Sequence, residues 1–446
     1  MKHRFPEGIR HAYNFGIFNA LSYQIVLGSP MVLYGKSLGA SATVLGIIAG
    51  MMPLLVIFQI PAANHVARVG YKRFVYAGWG TRVAFIFAMA AVPLAGVFLE
   101  RSSQLALLLF LLLGFNLSRG ISSCAWLPWI TTLVPESLRG RFLAREAVWV
   151  NAASVAALLF AAACLGSNPA SWQFAIVFGF SAAMGAVSLK HLKAIPDAAP
   201  PEDPARNNAT PVPWLDIAGH PPFRKLLIFN VAWAVAYGGM NTFSVAFLKS
   251  EAQLTEGRIL LLTALSFLGG LSGLWLFESK TDRFGSKPVF SGALGVWIMV
   301  AGVWTLLAGQ TVPASVAIVA ALQVAMGFAF ALVNMNNTRL AMVLAPPMGR
   351  SHFFALFSVV FNVTLGLAPI GWGLLIDAMG HISTGNSVFA VNRYSVFFAL
   401  VLVSFAAALV LCRNIEEPKA RPLDELLRET LLQSKLRYWL RLWPRW

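Results

Sequence analysis

Twelve apolar stretches, each about 20 residues or longer, leave this chain one kind of solvent to fold in, because a hydrocarbon core of ~30 Å takes about that many helical residues to cross. Their extents are 12–34, 42–63, 74–99, 104–128, 143–166, 171–190, 225–248, 257–278, 289–309, 314–340, 353–378 and 392–412. Membrane strands are shorter and alternate in polarity; "ALLLFLLLGF" at 106–115 does not alternate, so the spans are read as helices. Apolar residues make up 58% of the chain and charged ones 12%. A soluble domain carries roughly twice that share of charge. The fold class predicted is an all-α membrane protein.

The formal charge of +16 invites a nucleic-acid reading, but its placement argues against one. With both termini set on the cytoplasmic side, the cytoplasmic segments hold 26 of the 34 lysines and arginines. The opposite loops hold five: Lys36, Arg101, Lys249, Arg258 and Arg393. This is the positive-inside bias, which sets orientation. It predicts a multi-pass protein of a bacterial inner membrane, with both termini cytoplasmic and the lipid bilayer as partner. Cys124, Cys164 and Cys412 fall within or at the edge of spans and have no metal-ligand spacing. No nucleotide-binding loop appears, and no cofactor is expected. The first apolar stretch is too long for a signal-peptide core, so it is read as an uncleaved span.

The longest polar interruption, about 191–224, holds eight of the 24 prolines and reads as a linker. Six spans precede it and six follow. The predicted organisation is a bundle at 1–190, a linker at 191–224, a second bundle at 225–412, and a tail at 413–446 with two short, out-of-phase apolar faces. Leu423, Leu426, Leu427 and Leu431 make one face; Leu432, Leu436, Trp439, Leu440 and Trp443 make the other. Both suit the leaflet surface. "VARVGYK" at 66–72 and "TDRFGSK" at 281–287 each place Arg and Lys two residues before and after a glycine, Gly70 and Gly285. "FLAREAVWVN" at 142–151 matches "FFALFSVVFN" at 353–362, and Asn14 matches Asn230. These recurrences point to two six-span repeats in the same orientation, a symmetry from which transporters are built.

With these motifs the chain resembles the major facilitator superfamily, whose members carry the signature G-x-x-x-D-R-x-G-R-K between spans two and three. The C-terminal copy keeps Asp282, Arg283, Gly285 and Lys287; the N-terminal copy keeps Arg68, Gly70, Lys72 and Arg73. The acidic position of the first copy is Ala67, and the leading glycine is replaced by Ala63 and Glu278. The resemblance implies that the motif steadies the contact between halves in the outward-open state, the aspartate doing so against a helix N-terminus. It also implies that spans one, four, seven and ten line a central path.

Polar residues in those four spans are the candidate substrate contacts: Asn19 and Tyr23; Asn116 and Arg119; Asn230, Trp233, Tyr237 and Asn241; Gln323 and Asn334. Each set is spaced to share a helical face. Polar residues in spans also serve simply to join helices. Arg82 and Arg119 lie inside spans, and Glu146 enters the fifth span at a depth of ~5–6 Å, so Arg119 and Glu146 form a candidate ion pair. Trp79 shares a face with Arg82 and is placed to pack on it. No carboxylate lies near the midplane. The expected function is secondary active transport of a small solute by alternating access, with an organic anion or a neutral amphipathic compound as substrate. The alternatives are a receptor or assembly factor on the same scaffold, or a lipophilic drug efflux pump. No nucleophile–base pair or metal cluster points to an enzyme, and a monomer is expected.

Overall fold

The computed structural model describes residues 8–198, 219–344, 350–385, 389–417 and 421–432. Among them, twelve helical spans are long and apolar enough to cross a membrane. In chain order, spans 1 to 6 are Ile9–Ser37, Ala42–Val66, Tyr71–Val97, Arg101–Leu133, Arg145–Leu165 and Ser171–Ala194. Spans 7 to 12 are Pro221–Ser250, Glu256–Phe277, Ser286–Ala308, Val316–Ala341, Phe353–Ala378 and Arg393–Arg413. Each overlaps one stretch expected from hydropathy, as long unbroken apolar runs should.

Spans 1 and 7 are each broken at glycine. Span 1 is two helices, Ile9–Leu27 and Ser29–Ser37, meeting at Gly28 just before Pro30. Span 7 is Pro221–Tyr237 and Met240–Ser250, meeting at Gly238 and Gly239. The two breaks hold equivalent places in the two halves. Residues 230 to 241 therefore do not share one straight helical stripe, contrary to the expectation from spacing.

The repeated basic phrase encodes a repeated turn. Gly70 sits at φ 85°, between spans 2 and 3, and Gly285 at φ 89°, between spans 8 and 9. An L side chain is disfavoured there, so both copies need glycine. In the second half the turn is clamped. Glu417 accepts from the backbone N–H groups of Ser286 (2.9 Å) and Lys287 (2.8 Å), capping span 9. Lys287 Nζ donates to the Arg413 carbonyl at 2.8 Å. Lys225 pairs with Glu416 and holds its carboxyl below the usual carboxylate range. Arg68 is exposed and Arg283 lies against the Phe284 ring; the Asp282 side chain lies outside the described residues.

The tail departs from expectation. Its first apolar face forms a helix, Leu423–Leu432, that packs at least in part on the protein: Leu426 is 2% exposed and Leu423 lies beside Gly292 of span 9. The side chains of Leu427 and Leu431 lie outside the description, as does the second face beyond Leu432. A short antiparallel ribbon, Ser383–Gly385 with Ala390–Asn392, joins spans 11 and 12. Asn392 then caps span 12, accepting from Tyr394 and Ser395 N–H groups.

Candidate functional site

Among the described residues, the two halves touch firmly at the end of the bundle away from Ile9 and Arg413. There span 2 crosses span 11 on glycines. A methyl group added at Gly46 would collide with the Pro369 carbonyl, and one at Gly50 with the Gly366 carbonyl. Asp377 of span 11 caps span 2: its carboxylate accepts from Ala42 N–H (2.9 Å), Thr43 N–H (2.8 Å) and Thr43 Oγ1 (2.7 Å). Spans 5 and 8 meet at the same level, where Gly257 N–H donates to the Gly166 carbonyl at 2.7 Å. Nearby, Lys249 binds Glu256 at 2.7 Å and Arg393 binds Glu251 at 2.7 Å, tying the C-terminal half together at that end. Toward the other end spans 2 and 11 separate. A gap of about 250 Å³ opens between Val56, Ile60 and Ala63 on one side and Ala355, Val359 and Asn362 on the other.

At the middle of the bundle lies a cavity of about 390 Å³. Both halves line it: Gln24 and Ser29 at the break of span 1, Asn151 of span 5, Tyr237 and Asn241 at the break of span 7, Thr263 and Ser266 of span 8, and Gln323 and Asn334 of span 10. The breaks place side chains here that a straight helix would carry past. One wall is aromatic. Trp233 stacks on Tyr237 (centroids 5.4 Å apart, planes 11° apart), and Tyr237 stacks on Phe330 (4.8 Å, 19°). Trp297 meets Trp233 and Tyr237 edge-on. Apart from the Tyr237 phenol, no ionisable side chain among the described residues lines this cavity.

The arginines sit elsewhere in the N-terminal half. Arg82 is 4% exposed, its guanidinium 4.5 Å from the Trp79 ring centroid and 5.0 Å from that of Phe115, and its Nε has no partner. Trp79 thus packs on Arg82 as their shared face predicts, and its Nε1 donates to Asn19 Oδ1 at 3.2 Å. Tyr23 faces Ser154 and lies within electrostatic reach of Arg82, Arg119 and Glu146. The expected Arg119–Glu146 ion pair does not form: among the described residues neither side chain has an ion-pair partner. Glu146 instead faces Gly16 of span 1, where a Cβ would lie 3.6 Å from its Oε1.

Of the residues singled out from sequence, the structure brings Tyr237, Asn241, Gln323 and Asn334 to the cavity wall. Trp233 stands behind Tyr237 as its support. Asn230 does something else: its Oδ1 accepts from Asn337 Nδ2 at 2.6 Å, joining span 7 to span 10. Asn116 is buried and donates to the Leu112 carbonyl on its own helix. Asn19, Tyr23, Asn116 and Arg119 do not line this cavity, so span 4 contributes nothing to it. Spacing fixes which residues share a face but not which neighbour that face meets. Gln24, Ser29, Asn151, Thr263, Ser266 and Trp297 were missed. Thr263 and Ser266, three apart on span 8, were the legible signal among them.

A profile of the Major Facilitator Superfamily matches residues 14–277 and 234–446. The fold is similar to a point mutant of the nucleoside transporter NupG, with a TM-score of 0.73 and 11% identity, covering 92% of this chain and 100% of that one. It is also similar to a D-xylose-proton symporter (TM-score 0.71, 15% identity, 93% and 99% covered). The inward-open xylose transporter XylE from E. coli is a further likeness (TM-score 0.69, 13% identity, 94% and 98% covered). A search of curated proteins by sequence found no match. At these identities the structures speak for fold alone. The profile spans both halves of the bundle, and this chain belongs to the Major Facilitator Superfamily.

Proposed function

We propose that the protein is a secondary active transporter that moves a small organic solute by alternating access, with residues 1–190 and 225–412 rocking as two bundles around the central cavity. One observation carries this reading: a polar cavity at the bundle centre draws its wall from both halves, while those halves are sealed together at one end and parted at the other. The positive-inside distribution orients the parted end, with both termini, to the cytoplasm. The structure then corresponds to an inward-facing state of a monomer in the inner membrane. A receptor or assembly factor has no need of a cavity that can be exposed to each side in turn.

The cavity wall favours an uncharged amphipathic solute, because amides and hydroxyls stand beside aromatic rings with no fixed charge among them. The organic-anion reading retains one support. Arg82 and Arg119 have no ion-pair partner among the described residues, and a buried guanidinium without one favours an anion nearby.

Accessibility of a single cysteine tests the transport reading. In a chain freed of Cys124, Cys164 and Cys412, Asn241→Cys reacts with an impermeant thiol reagent from the cytoplasmic face. Cross-linking the parted end shut moves the reactivity to the opposite face. A cysteine that stays reachable from one face under both conditions refutes alternating access.

A further inference from the structure

Three of the polar groups on the cavity wall have no partner. Gln323 is fully buried, and neither its Nε2 nor its Oε1 makes a hydrogen bond. Whichever way the amide is turned, a donor and an acceptor stand side by side and unpaired. Trp297 Nε1 and Ser29 Oγ, both buried, are unpaired as well. All three residues line the same cavity. Ser29 belongs to one half of the protein, and Gln323 and Trp297 to the other.

A packed membrane bundle does not ordinarily leave such groups unpaired. Hydrocarbon offers no hydrogen bonds, and each orphaned group weakens the fold. Within span 10 the difference is one of degree. Asn336 donates to the Leu332 carbonyl one turn back and Asn337 donates to Asn230, each leaving only its Oδ1 unpaired, whereas Gln323 has neither amide atom bonded. Gln323 has no such bond to its own helix. It lines the cavity beside a ring wall that ends in Phe330, 37% exposed.

We infer that Gln323, with Trp297 and Ser29, forms a subsite that reads a planar ring carrying an adjacent hydrogen-bond donor and acceptor, as in a cyclic amide, a cyclic urea or a heterocyclic base, with Phe330 covering the ring face. A carboxamide matches such an edge with two parallel bonds, the geometry by which asparagine and glutamine read adenine. The indole N–H supplies a donor to a further carbonyl, and the serine hydroxyl adjusts to either role. A cavity of about 390 Å³ holds a base-sized ring with a small substituent. No charge is needed in the ligand. Because Ser29 and Gln323 lie on opposite halves, a ligand bonded to both couples its own binding to how the halves sit. This inference rests on the transport reading and narrows it to a substrate class.

The test uses the full-length protein in detergent and three probes: uracil, hypoxanthine and 1,3-dimethyluracil. Binding is followed by calorimetry. The expected result is binding of uracil or hypoxanthine that weakens roughly ten- to a hundredfold for the dimethylated ring, which keeps its shape and loses its donors. Gln323→Leu weakens uracil or hypoxanthine to the same degree and leaves dimethyluracil unchanged. If the variant does not fold, the comparison of methylated with unmethylated ring on the unaltered protein still decides. Failure of both unmethylated probes to bind overturns the inference and leaves water as the partner of Gln323. Equal affinity for methylated and unmethylated rings overturns it too. Neither outcome touches the transport reading, which stands or falls with the Asn241→Cys accessibility.

Discussion

Replacing Asp377 by alanine should open the sealed end of the protein. The carboxylate makes three hydrogen bonds to span 2, two to backbone N–H groups and one to the Thr43 hydroxyl. It does what an N-cap residue does, from another helix in the opposite half of the molecule. Asp377 is exposed, so water screens the charge and fully buried values do not apply. The N-cap scale is the right guide, and loss of such a cap costs about 1–2 kcal/mol. In the state with this end open, Asp377 faces water and makes none of these bonds, so the cost falls on the sealed state alone. The sealed-to-open ratio should drop by about 5- to 30-fold. Asp377→Asn keeps a side-chain acceptor of nearly equal capping strength and should shift the ratio much less. Spin labels at Ser102→Cys and Ala317→Cys, on the exposed starts of spans 4 and 10, report the separation by pulsed electron resonance. A longer-distance population should grow in Asp377→Ala and stay small in Asp377→Asn. Identical distributions in a folded Asp377→Ala protein would show that the glycine contacts seal this end without help, and would refute the reasoning.

The glycine crossing makes its own prediction. Gly46→Ala and Gly50→Ala should each force spans 2 and 11 apart, and thiol labelling from the side opposite the termini should then reach a cysteine at Asn241. Asn337→Leu leaves Asn230 Oδ1 unpaired in the core and should lower stability by about 0.6–2 kcal/mol, read as a fall in the unfolding temperature in detergent. The double variant with Asn230→Leu should recover part of that loss. Glu417→Ala removes the cap from span 9 and should destabilise the protein by about 1 kcal/mol, whereas the matching change at Glu416, an exposed ion pair, should be close to neutral. A cytoplasm-active reporter fused after Trp446 should be active, and a periplasm-active one silent.

Much of the fold was legible because membrane physics writes it in composition. A span must be long, apolar and helical, and all twelve could be counted from hydropathy. The repeat was legible because a tight turn at positive φ admits glycine and little else, so Gly70 and Gly285 mark equivalent corners. The site was half legible. Tyr237, Asn241, Gln323 and Asn334 followed from helical spacing within spans 7 and 10. Spacing could not tell that Asn230 would turn to Asn337, or that Arg119 and Glu146, close in depth, would face different neighbours. Those outcomes depend on the rotation of one helix against the next, which the packing of many side chains decides. Asp377 shows the same limit. At the end of a span it reads as a boundary residue, and its partner is 335 positions away.

The sealed end and the cavity are built from different chemistry, and the difference fits the proposed alternating access. The sealed end has close backbone contacts: glycines against carbonyls, one helix cap, and one N–H to carbonyl bond between Gly257 and Gly166. Large apolar side chains are buried at this end as well: Met31, Leu33, Leu45 and Ile48 of one half belong to the same buried cluster as Met240, Phe243, Ile259 and Leu260 of the other. At the cavity the large aromatic groups are packed against their own half, Trp233, Tyr237, Phe330 and Trp297 forming one continuous cluster, and they need not repack when the halves move. What remains free to change partner is the set of small polar groups, Ser29 on one side and Gln323 on the other. In the proposed transport cycle, a solute that pairs with both would hold the halves in register while the contacts at the sealed end are exchanged for others at the parted end. If the proposed binding groups and the Asp377 cap act separately, Asp377→Ala should alter the distribution between states while leaving the intrinsic affinity of either state for its ligand unchanged.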